Sequence, residues 1–62
     1  MNTFIPNKQD HNRAANRQQG MADQESEDYK ILHAVQMAYY ENKAAPVSHA
    51  RFAQALGEKV AA

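Results

Sequence analysis

The chain has no cysteine, only two glycines and two prolines, and no surplus of charge, since seven Lys and Arg balance seven Asp and Glu. Each shortage closes a class of explanation. Without cysteine there are no disulfide staples and no thiolate metal sites, which fits a cytosolic chain, where disulfides are rare. Zero net charge leaves no whole-molecule field to gather nucleic acid or an acidic membrane. No apolar run approaches the roughly 20 residues that span a bilayer, and the N-terminal residues lack the charged-then-apolar layout of a secretion signal. The expectation is a soluble, cytoplasmic protein with no membrane partner.

Large apolar side chains are also few. Ile, Leu, Val and Phe occur only as Phe4, Ile5, Ile31, Leu32, Val35, Val47, Phe52, Leu56 and Val60. Sixty-two residues make at most one domain, near the lower size limit for independent folding. So thin a core favours self-association or a fold completed by a partner.

What is present is one strongly patterned segment. Between Gly20 and Pro46 the chain contains no helix breaker, and Asp23 to Ala44 reads as a helix. At about 100° per residue, Ile31, Leu32, Val35, Ala38 and Tyr39 gather on one stripe. Tyr29, His33, Met37 and Tyr40 gather nearly opposite. A helix with two stripes needs two partner surfaces, and the second stripe is assigned to another molecule. Asp23, Glu25, Glu27 and Asp28 lie at the positive end of the helix dipole, and either Asp23 or Ser26 suits the N-cap. Pro46 disfavours helical backbone at the residue before it and closes the element.

Residues 1–22 read as a flexible polar arm. From Asn7 to Gly20 no apolar side chain exceeds Ala, and Asn and Gln are dense. Such a segment buries too little apolar surface to offset its ordering entropy. Only Phe4 and Ile5 offer anything to dock, and a helical turn around Arg13 to Arg17 has nothing to hold it.

A second helix is expected over about 48–60. Ser48 suits its N-cap, and Val47 with Phe52 has the spacing of a hydrophobic staple. Phe52, Ala53, Leu56 and Val60 line one face, while Gly57 either caps the helix or sits inside it. A linker of about three to five residues around Pro46 suits an antiparallel hairpin. The predicted fold is therefore all-α: a flexible arm over 1–22, then a two-helix hairpin over 23–62 that dimerises into a four-helix bundle. The run Arg51-Phe52-Ala53-Gln54-Ala55-Leu56-Gly57 resembles the first helix of helix-turn-helix repressors, in which an Ala and a turn Gly recur at this spacing. That resemblance implies a recognition helix to follow, whereas five residues come after Gly57.

No constellation of catalytic or metal-binding residues stands out. His33 lies one turn from Met37 and His49 falls in the second helix, but no His pairs with another His or a carboxylate at ligand spacing, and zinc takes at least three protein ligands. Ser26 and Ser48 are explained as caps, and the acidic run from Asp23 to Asp28 as a solvated helix start. Two helices also form no deep pocket of substrate size. The expectation is a non-enzyme without cofactor or metal. Tyr29, His33, Met37 and Tyr40 combine large contact area with polar tips, the profile of an interface. They make the chain a small protein-binding module or regulator whose partner is itself, a larger protein, or both. The alternative is a small nucleic-acid-binding regulator, with Lys8, Arg13 and Arg17 of the arm laid along phosphates.

Overall fold

The computed structural model describes residues 3–57. Among them are three helices and no strand: α1 (Lys8–Gln19), α2 (Glu27–Glu41) and α3 (His49–Ala55). The fold is all-α, as expected, but it has one helix more than a hairpin. Both other helices pack against α2. No helix among the described residues is long and apolar enough to cross a membrane.

The additional helix corrects the reading of residues 1–22 as a flexible arm. Asn7 caps α1 by accepting from the Asp10 backbone N–H at 2.9 Å. Its own N–H donates to Asp10 Oδ2 at 3.1 Å, completing a capping box. This is the Ser/Thr-x-x-Glu device built from shorter side chains. The packing face is made of small and amphipathic residues. Ala14 is wholly buried, while His11, Ala15 and Gln18 are half-buried. These four stand at i, i+3, i+4 and i+7, one face of a helix. Alanine at the centre of the contact lets two backbones approach closely, so dispersion and hydrogen bonds do what large apolar side chains do elsewhere. Gln36 on α2 donates through Nε2 to Gln18 Oε1 at 2.6 Å.

Phe4 completes the docking of the N-terminal segment. Its ring stacks on Phe52 with centroids 5.4 Å apart and meets His49 edge-on at 5.0 Å. Its carbonyl accepts from the Ala45 N–H at 2.8 Å. Ile5 beside it stays 70% exposed.

The α2 boundaries fall inside the expected span of 23–44 for physical reasons. Ser26 is the N-cap, its Oγ accepting from the Tyr29 N–H at 3.1 Å. Asp23 instead accepts from the Glu25 N–H at 3.0 Å, holding the turn ahead of the helix. The helix stops short of Pro46 because Asn42 turns left-handed, at φ 54°. The N–H groups of Asn42 and Lys43 then bond back to Tyr39 and Ala38, which is the Schellman pattern of helix termination.

At α3 the expected start is observed. Ser48 Oγ accepts from the Arg51 N–H at 3.2 Å, and Val47 is half-buried against the core that contains Phe52. The helix ends at Ala55 rather than near Val60. Gly57 adopts φ 82°, a conformation glycine takes without steric cost, and its N–H closes onto the Gln54 carbonyl at 2.9 Å. Val60 lies outside the described residues. The linker between α2 and α3, 42–48, is longer than the three to five residues expected, because Asn42 ends α2 early.

The core is as thin as the composition implies. Its fully buried large side chains are Phe52, Leu32 and Val35. Around them Ala14, Ala38, Ala45 and Ala55 fill space by close approach, with Ile31 at the edge. An ion pair between Arg51 and Asp28 at 3.0 Å links α3 to the first turn of α2.

Candidate protein-binding surface

The four residues assigned to a contact face by sequence do not share one environment. Tyr29 is half-buried and His33 exposed, while Met37 is 41% and Tyr40 63% exposed. α1 meets one flank of the same stripe, at Tyr40. The Tyr40 hydroxyl is hydrogen-bonded to His11 Nε2 at 2.9 Å. The His11 ring lies 4.9 Å from Tyr40 and 5.0 Å from Tyr39, so the three rings form a cluster across the α1–α2 contact. Part of the second stripe therefore meets this chain's own N-terminal helix. Tyr40 keeps most of its surface in solvent but has its hydroxyl already engaged.

On the flank away from α1 lies an open groove of about 310 Å³ lined by Ala34, Met37, Ala38, Glu41, Lys43, Ala44 and Pro46. Of the sequence-assigned residues only Met37 lines it. Small side chains make its floor, since Ala34 and Ala38 leave room beside the longer Met37. The rim is charged: Lys43 Nζ lies 3.3 Å from Glu41 Oε1, both side chains being at least half exposed. Sequence reasoning missed Ala34 and Glu41 because it followed large side chains only. The available signal was the spacing of Lys30, Ala34, Met37 and Glu41, which runs in steps of four, three and four residues as in a helix–helix seam.

The basic residues assigned to nucleic-acid contact are placed on an ordered helix. Arg13 and Arg17 stand one turn apart on α1, whereas Lys8 projects from nearly the opposite side of it, at about 100° per residue. All three are exposed. The Arg17 guanidinium lies against the turn at Gly57, 3.3 Å from where a side chain at that position would begin. They do not form one patch.

Histidines and serines have structural roles. His11 belongs to the tyrosine cluster, and His49 packs edge-on to Phe4 and Phe52. Ser26 and Ser48 spend their hydroxyls on helix caps. Among the described residues no three His, Asp or Glu side chains are gathered to hold a metal ion. Comparison of the chain with protein-family models, curated proteins and solved structures gives no match.

Proposed function

We propose that this chain is a small, non-enzymatic protein-binding module or regulator acting through the outward face of α2. Its partner is a protein, whether a second copy or a larger molecule. The observation that carries this reading is Met37, which stands 41% exposed at the edge of the Ala34–Ala38 groove. Methionine is adaptable and polarizable, and it is favoured at contact surfaces. A large apolar side chain beside an open recess, with a charged rim around it, has the anatomy of an interface core. Its exposed neighbours Tyr40 and His33 enlarge the surface. A protein partner is favoured over nucleic acid because Lys8 diverges from Arg13 and Arg17, and the chain has no net positive charge.

The test uses the full chain as bait in lysate of its native cell, beside the Met37→Glu variant. The expected result is a protein, the chain itself included, retained by the wild type and lost with Met37→Glu. Retention should survive nuclease and change little between low and high salt. Capture that collapses with nuclease and falls steeply with salt, in the manner of phosphate contacts, would overturn the reading in favour of nucleic acid. So would equal retention by the two baits, which would place the contact elsewhere.

A further inference from the structure

The groove beside Met37 has features that select one occupant. We infer that it is filled by α2 of a second copy, running antiparallel about a two-fold axis between Val35 and Gln36. This rests on the protein-binding reading above and names the partner.

Along the free flank of α2, Lys30, Ala34, Met37 and Glu41 form the seam. Lys30, Met37 and Glu41 are exposed and Ala34 half-buried. In an antiparallel pair about that axis, Ala34 faces Met37 of the second copy and Lys30 faces its Glu41. The large side chain enters the space left by the small one, twice by symmetry, as an isologous interface requires. Each seam end brings opposite charges together. Glu41 presents Oε1 to Lys43, so its second carboxylate oxygen remains for Lys30 of the other copy. At the outer edge Glu27 comes opposite Lys43 and Ala44 of the second copy. Among the described residues neither Glu27 nor Lys30 has an ion-pair partner within the chain.

A parallel pairing fails on the same residues. It would set Lys30 on Lys30 and Glu41 on Glu41, place Met37 against Met37, and leave a void between facing alanines. Like charges juxtaposed in this way suppress the wrong register. The chain's zero net charge removes general repulsion between copies. A helix of 15 residues is about 22 Å long, so the contact is small and the dimer belongs to the weak, reversible class.

Charge exchange tests the register. Lys30→Glu and Glu41→Lys are made singly, their folding is checked by circular dichroism, and each is sedimented over roughly 10–300 µM, a range suited to a weak interface. Wild type should dimerise. Each single variant turns two facing pairs from attractive to repulsive and should weaken association by about tenfold or more. An equimolar mixture of the two folded variants should regain the dimer, because both facing pairs are again opposite in sign. A monomeric wild type across the range overturns the inference. If Met37→Glu still loses a foreign protein from lysate, the binding reading stands without it. Single variants that dimerise like wild type, or a mixture that stays monomeric, overturn the register.

Discussion

Replacing Phe4 by Ala should lower the melting temperature by about 8–16 °C, although the residue stands just outside any helix. Phe4 is half-buried, and its ring contacts Phe52 at 5.4 Å and His49 at 5.0 Å. Full burial of such a side chain is worth about 1.5–3 kcal/mol, so half-burial contributes roughly 1 kcal/mol. Aromatic pairing adds about 0.5–1.5 kcal/mol beyond area, for a loss near 2 kcal/mol. In a domain this small each 1 kcal/mol moves the midpoint by about 4–8 °C.

Ile5 supplies the internal control. It is the next residue and is also large and apolar, but it is 70% exposed. Ile5→Ala should therefore stay within about 0.5 kcal/mol of wild type, as surface substitutions do. Far-ultraviolet circular dichroism melts of the three proteins at one fixed concentration decide the matter, because association makes the midpoint concentration-dependent. Equal midpoints for Phe4→Ala and wild type would refute the docking of the N-terminal segment. A drop for Ile5→Ala as large as that for Phe4→Ala would show that hydrophobicity in general, not the Phe4 stack, is being measured.

Leu32→Ala removes one of the three large side chains that are fully buried. It should cost about 2–5 kcal/mol, enough to leave much of so small a domain unfolded in the same melt. Asn7→Ala removes the side-chain oxygen that accepts from the Asp10 N–H, while the backbone N–H that donates to Asp10 Oδ2 remains, and it should cost about 1 kcal/mol. Amide exchange in α1 should then quicken more than in α2; uniform quickening across both would mean that α1 never opens separately.

The legible part of the fold was the part written in large apolar side chains. Ile31, Leu32 and Val35 repeat at helical spacing, and Ser48 with Val47 and Phe52 marks a helix start that the structure contains. The α1 helix was illegible to the same criterion, because its packing face of His11, Ala14, Ala15 and Gln18 has no residue that a hydrophobicity pattern registers. Asn7 and Asp10 did carry a start signal, in a capping box written with shorter side chains than usual. At the candidate surface the failure has the same origin. Tyr29 and Tyr40 drew attention to one flank of α2, which α1 partly occupies, while Ala34 in the groove lining drew none.

The two-stripe character of α2 survives this correction in altered form. Its core side is taken by Ile31, Leu32, Val35 and Ala38. A second side is engaged by α1, through Gln36 with Gln18 and Tyr39 and Tyr40 with His11. A helix flanked on two sides has one sector left, and on α2 that sector holds Lys30, Ala34, Met37 and Glu41. Had it faced only water, a row of polar residues would have served, as on the solvent face of any amphipathic helix. Instead a methionine and an alanine stand between a lysine and a glutamate. The alanine-lined contact with α1 shows that small residues on α2's neighbours serve close helix approach here. The same physical logic, applied to the sector that α1 and α3 leave uncovered, is the basis of the proposed pairing with α2 of a second copy.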